Sequence, residues 1–273
     1  MAARASGVIV VGSKNFTEQL ILGEIVAQTI ERETGLSVRR RLNLGGTLIC
    51  EQALIAGDID VYVEYTGTAL TAIFHQPPST DRQRVLDTVR DRYAGSGRTL
   101  LSPLGYDNTF AILVRAGDAR EHGLQTIDDL ARVAPRWRAA FGYEFLERPD
   151  GYPGLAKTYG LAFRDPPQVM DLTLTYRALA SGQVDLIAGD ATAGLITSLD
   201  LVQLEDNRRY FPPYDAVPVA RASTLHRYPQ VREALERLAG RISAGDMREM
   251  NHAADALREN PADIARRFLD RAR

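Results

Sequence analysis

Apolar residues recur with two alternating periods along the N-terminal part of the chain. GVIVVGS (7–13) is a continuous apolar run bounded by glycines, which predicts a buried strand. NFTEQLILGEIVAQTIERETG follows, with Ile21, Leu22, Ile25 and Val26 at helical spacing and Gly35 as the stop. LSVRRRLNL predicts a half-exposed strand, and GTLICEQALIAG a helix ending at Gly57. DVYVEYTGT (60–68) predicts another strand, in which Val61 and Val63 alternate with polar neighbours. Strand, helix, strand, helix, strand is the order of an α/β sheet with crossover helices. Further on, TFAILVRAG and VDLIAGD predict strands. TIDDLARV carries a capping box of Thr126 and Asp129. From Tyr228 onward the pattern is helical, most clearly in YPQVREALERLAGRI.

The chain also repeats itself. ALIAGDIDVYVEYTGTALTAI (53–73) resembles ALASGQVDLIAGDATAGLITSL (178–199). Ala53, Leu54, Gly57 and Asp60 match Ala178, Leu179, Gly182 and Asp185 at a constant offset of 125 residues. Both copies read as helix end, glycine stop, strand, polar turn and helix, which predicts two related lobes. At this offset Tyr65 corresponds to Asp190. Two α/β lobes with facing strand tips enclose a cleft, and open α/β sheets bind ligands at the carboxyl ends of their strands.

Composition narrows the function. The 273 residues are 45% hydrophobic and 25% charged, as in a globular protein of one large domain or two lobes. A net charge of −2 supplies no general attraction for nucleic acid, so Arg39-Arg40-Arg41 and Arg208-Arg209 are expected to be solvated. The single cysteine, Cys50, excludes an internal disulfide and any cysteine-based zinc site, and is expected to be a buried thiol. No segment reaches the ~18 apolar residues of a membrane span. The start, MAARASGVIVV, lacks the apolar core of a secretory leader, which leaves open a mature exported domain whose leader was removed.

Patterns for catalysis and metal binding are missing from the sequence. His75, His122, His226 and His252 are far apart, and no phosphate-cradling loop or nucleophile elbow occurs. Gly45-Gly46-Thr47 precedes a helix and reads either as an anion site built on backbone N–H groups or as a plain helix start. Thr66 and Thr68 read either as helix caps or as ligand contacts at the strand tip. No cofactor and no metal are expected.

Five uncommon strings each combine an aromatic or a cation with turn residues: GSKNFTEQ (12–19), VEYTGT (63–68), PLGYDNTFAI (103–112), EFLERPDGYPGL (144–155) and FPPYDAVPV (211–219). In combination they resemble the substrate-binding proteins of osmoprotectant ABC transporters, the glycine betaine, choline and carnitine binding family, over nearly the whole chain. The resemblance implies an α/β, two-lobed type II periplasmic-binding-protein fold with the ligand cleft between the lobes. On that reading lobe 1 spans 1–107 and 212–273, and lobe 2 spans 108–211. The implied protein is a non-enzymatic, periplasmic or otherwise extracytoplasmic receptor that delivers a quaternary-ammonium solute to an ABC permease. It would meet the membrane only through that permease or a removed anchor. The alternatives are a binding domain for a larger betaine such as ergothioneine, in a permease fusion, the sensor domain of a regulator, or an enzyme on the same fold.

A quaternary ammonium has no N–H to donate and is held by aromatic faces, at about 0.5–2 kcal/mol per ring. A betaine's carboxylate needs Arg or Lys donors. The resembled family's aromatic box falls here on Tyr65, Phe110, Asp190 and Tyr214, and its carboxylate contacts on Lys14, Thr68 and Arg148. Asn108 is expected to orient its neighbours. Two positions depart from the family: Phe110 keeps a ring without the hydroxyl, and Asp190 replaces a ring by an acid. Competing readings are an exposed helix-start cation for Lys14, a salt bridge to Glu144 or Asp150 for Arg148, and a cap on a helix 191–199 for Asp190.

Overall fold

The computed structural model describes residues 7–271. The start 1–6, where the leader reading begins, and the end 272–273 lie outside the described residues. Ten strands appear among the described residues: β1 (Val8–Gly12), β2 (Ser37–Arg41), β3 (Val61–Tyr65), β4 (Arg98–Leu100), β5 (Phe110–Arg115), β6 (Ala139–Phe141), β7 (Gln168–Val169), β8 (Leu186–Asp190), β9 (Leu201–Leu204) and β10 (Ala216–Arg221). They form two five-stranded sheets, ordered β2-β1-β3-β10-β4 and β7-β6-β8-β5-β9. Taken in order, the two sheets match strand for strand. In each, three strands run parallel and the fourth, β10 or β5, joins antiparallel.

The internal repeat is the visible part of this correspondence. β3 and β8 are related by the offset of 125, as are the first residues of the helices Thr47–Ala56 and Leu172–Ala180. An ion pair repeats as well: Asp60 with Arg221 at 3.9 Å, and Asp185 with Arg115 at 3.0 Å. The chain passes from the first sheet to the second between Leu100 and Phe110 and returns between Leu204 and Ala216. The two crossings run side by side, joined where Asn108 N–H donates to the Tyr214 carbonyl at 3.1 Å and where Asp107 bridges Asp215.

The first sheet is covered on both faces. The helix Thr17–Thr34 buries Ile21, Leu22, Ile25 and Ile30 against one face, and is itself covered by the helices Pro229–Glu236 and Pro261–Arg271. A fully buried aliphatic side chain of this kind contributes about 1.5–3 kcal/mol. The helix stops where Gly35 turns to φ 69°, and Thr47–Ala56 stops at Gly57 with φ 83°. On the other face Cys50, Leu54, Tyr62 and Tyr93 form a second core. Burial pushes the Cys50 thiol up to about 12, so it is an inert packing group.

Coverage on both faces buries all five residues of β3, Glu64 included, although its sequence alternates apolar and polar positions. Two cap readings are corrected. The helical segment after β3 begins at Thr66 with Tyr65 in the capping position. Thr66 Oγ1 instead donates to the Pro213 carbonyl and accepts from Asp215 N–H, both at 3.0 Å, tying the strand tip to the return crossing. After β8 the helix is only Leu195–Ser198, and no described residue's N–H is capped by the Asp190 side chain. Thr192 delays it, its hydroxyl bound by Glu18 and its carbonyl accepting from Asn251 at 2.9 Å.

Candidate functional site

A cavity of about 440 Å³ opens where the tips of β3 and β8 face each other, lined from both sheets. Lys14, Tyr65, Thr68, Asn108, Phe110, Arg148, Asp190 and Tyr214 all line it. Topology gathers them. Tyr65 and Asp190 end their strands, Phe110 begins β5 directly beside Asp190, and Tyr214 stands just before β10. The cavity therefore lies at the carboxyl ends of the parallel strands.

Aromatic rings from both lobes form part of its walls. Phe110 meets Tyr214 edge to face at 5.3 Å and Phe145 at 4.8 Å, while Phe16 stacks over Tyr65 at 6.4 Å. Edge-to-face contacts brace the rings against one another. Each wall also has a protein cation beside it. Lys14 Nζ is 5.0 Å from the Tyr65 ring, and the Arg148 guanidinium is 5.2 Å from Phe110 and 5.9 Å from Tyr214.

Both cations are already paired with buried acids. Lys14, 3% exposed, donates to Glu64 at 2.5 Å, which excludes the exposed helix-start reading. Glu64 also takes the Tyr62 hydroxyl and the Tyr65 N–H. Arg148 forks onto Asp150 at 2.9 and 2.6 Å, and its remaining nitrogen donates to Thr68 Oγ1 at 3.1 Å. The Tyr214 hydroxyl donates to the same Asp150 at 2.7 Å. Burial alone would raise Asp150, but the Arg148 fork outweighs it and holds the acid below its ordinary range. For Arg148 the Asp150 pair likewise outweighs burial, so the guanidinium stays charged. Of the two salt-bridge partners weighed for Arg148, Asp150 is the one present.

Glu18 organises the floor. It is buried and accepts five hydrogen bonds: Tyr65 Oη at 2.6 Å, Tyr106 Oη at 2.7 Å, Asn108 Nδ2 and Asn251 Nδ2 at 3.0 Å, and the Thr192 hydroxyl. Five donors satisfy both oxygens of this buried carboxyl group. Asp190 is the opposite case. Among the described residues no group donates to its carboxylate, and its own N–H is taken by the Tyr176 hydroxyl at 3.1 Å. Burial, followed by the charge of Glu18, pushes it up to about 7 against the opposing pull of Lys14.

Across the cavity mouth, Glu144 from the second lobe accepts the Thr47 N–H at 3.0 Å. The anion at the Gly45-Gly46-Thr47 turn is therefore the protein's own carboxylate at a helix N-terminus. A Cβ on Gly46 would stand 2.1 Å from Glu144 Oε1, so a larger residue there would push this carboxylate from its place.

Sequence reasoning passed over Glu18 and Glu64, two acids behind the lining, and the rings of Phe16 and Phe145, while Asp150 entered it only as a salt-bridge partner for Arg148. All four lie inside the quoted strings, Glu64 directly beside Tyr65, yet Glu18 and Glu64 went unread. Those two sit in helical and strand patterns, where a lone acid reads as solvent-facing.

The family described as "Substrate binding domain of ABC-type glycine betaine transport system" matches residues 7–271. The chain is 31% identical over 264 residues to the carnitine transport binding protein OpuCC of Listeria monocytogenes, covering 96% of this chain and 85% of that one. It is 33% identical over 266 residues to the ergothioneine transport permease/ergothioneine binding protein EgtU of Helicobacter pylori, covering 96% of this chain and 47% of that longer one. A solved structure described as a glycine betaine/carnitine/choline ABC transporter superposes with a TM-score of 0.81 at 29% identity, over 98% of both chains.

Proposed function

Since the chain belongs to the substrate-binding family of ABC-type glycine betaine transport systems, we propose that it captures a quaternary-ammonium solute of the betaine, choline or carnitine type and passes it unchanged to a membrane permease. The capture takes place outside the cytoplasmic membrane. The observation that carries this reading is a cavity at the strand tips walled by Phe16, Tyr65, Phe110, Phe145 and Tyr214. Such rings suit a methylated cation, which offers diffuse charge and no hydrogen to donate. Beside the same rings, Lys14 and Arg148 keep N–H groups beyond those used by Glu64 and Asp150. Together with Thr68, these groups receive the ligand carboxylate. Lobes bounded near residues 107 and 211 close over the ligand by motion at the paired crossings.

A thermal-shift screen against glycine betaine, proline betaine, choline, carnitine and ergothioneine tests the reading. A ligand at a hundredfold excess over its Kd stabilises by about 2.7 kcal/mol, enough for a clear rise in Tm. No rise with any of them, confirmed by calorimetry, overturns the proposal.

A further inference from the structure

Three carboxylates line the cavity: Glu144, Asp171 and Asp190. Glu144 is engaged by the Thr47 N–H, and Asp171 caps the helix Leu172–Ala180 through the Thr173 N–H at 2.9 Å. Asp190 has neither kind of partner. It is only half-buried, so its open side is the cavity wall. Behind it lies a small annex of about 40 Å³, shared with Phe16, Glu18, Asn251 and Asp255. That space is about a tenth of the main cavity. A ligand therefore reaches Asp190 from the main cavity.

The charged groups around Asp190 leave it uncompensated. Glu18 and Asp255 are acids, and the nearest cation, Lys14, is committed to Glu64. Glu18 offers no donor, because both of its oxygens are filled. Tyr65 donates to Glu18, and the Tyr176 hydroxyl, which accepts from the Asp190 backbone, makes no hydrogen bond to the Asp190 carboxylate. A methylated ammonium placed here offsets the charge but leaves the carboxylate oxygens without hydrogen bonds, which is costly away from water. A ligand with a polar hydrogen meets both needs in one charge-assisted bond.

Resting on the function proposed above, we propose that the ligand of this site carries an O–H or N–H beside its quaternary nitrogen and donates it to Asp190. Asp190 is then a selectivity residue, and glycine betaine, which has no such hydrogen, is a poor ligand for this chain.

The test uses matched pairs. Choline, carnitine and ergothioneine are each measured by calorimetry beside a form whose O–H or N–H is methylated, and glycine betaine is measured in parallel. Wild type and Asp190→Asn are compared, with circular dichroism and melting to confirm that the variant folds. For the pairs that bind, methylation is expected to weaken wild type at least tenfold and Asp190→Asn less than threefold. Glycine betaine should bind wild type at least tenfold more weakly than the best donor-bearing ligand. Equal affinity within each pair, an equal loss in the variant, or glycine betaine as the tightest ligand overturns the inference and leaves the proposed function standing. Failure of every compound to bind wild type overturns both.

Discussion

Arg148 and Asp150 form a buried fork, with Nε and Nη2 donating to the two carboxylate oxygens at 2.9 and 2.6 Å. The cation best placed to receive a ligand carboxylate is thus half of a neutral pair that also anchors Tyr214. Its role in binding and its role in stability are therefore coupled, and a single truncation mixes the two.

Arg148→Ala should destabilise the ligand-free protein by about 3–5 kcal/mol, because it strands a buried carboxylate. The double variant Arg148→Ala/Asp150→Asn should recover a large part of that loss. Urea melts of the two variants decide it. A double variant less stable than Arg148→Ala would mean that Asp150 is held by something other than the fork. Asp150 sits below its ordinary value, so its stabilisation is present above the usual carboxylate range. It is lost as pH falls through the depressed value.

Glu18 should prove to be a positioning residue for the Tyr65 ring. Glu18→Gln keeps the shape but turns one acceptor into a donor facing the hydrogens of Thr192 and Asn251 or those of Tyr65, Tyr106 and Asn108. A cost of about 1–3 kcal/mol is expected. The same change removes a charge that raises Asp190. The Asp190 titration, followed by carboxyl carbon NMR, should then move to lower pH. An unmoved titration alongside lost stability would reduce Glu18 to a structural residue.

Asp190 makes stability and binding depend on pH in opposite directions. Its value is raised from 3.8 to about 7, so the folded state holds a proton that the unfolded state has released across that window. Stability of the ligand-free protein should fall as pH rises from about 4 to about 7 relative to Asp190→Asn. Affinity for a donor-bearing cation should rise through the same range, since the ionised acid accepts its hydrogen in a stronger, charge-assisted bond and attracts the cation. Melting and calorimetry at pH 5, 6, 7 and 8 check both slopes. Parallel profiles for wild type and variant would exclude Asp190 as the titrating group.

Much of this layout was legible in the sequence because local chemistry repeats. A helix end, a glycine stop and a short strand recur 125 residues apart, and β3 and β8 are where that repeat puts them. The lining residues were legible because cavity walls at strand tips are built from turn-rich strings with an aromatic or a cation. Two of the acids behind them, Glu64 and Glu18, were not. Glu64 lies inside VYVEY, where alternation suggests a solvent face, and only the cover on both sides of the sheet makes it a buried partner for Lys14. Glu18 was hidden for a related reason: its five donors come from four separate stretches of chain, and no periodicity links Glu18 to Asn251. The helix expected at 191–199 failed because Thr192 is held by tertiary hydrogen bonds that propensity does not register.

The contact between Glu144 and the Thr47 N–H should act as a latch on the closed state. It joins the two lobes at the cavity mouth, and a carboxylate at a helix N-terminus is worth about 0.3–1 kcal/mol at the surface. Gly46 permits it, with ordinary φ of −75° and no Cβ to meet Glu144. Alanine suits that backbone conformation, so Gly46→Ala leaves each lobe able to fold and obstructs only the approach of Glu144. Gly46→Ala and Glu144→Ala should each weaken ligand binding about twofold to fivefold, mainly through faster release. Together they should weaken it no more than either does alone, because both remove the same contact. Stopped-flow dissociation rates for the two single variants and the double variant measure this. Additive losses would show that Gly46 and Glu144 act on the ligand separately rather than through one latch.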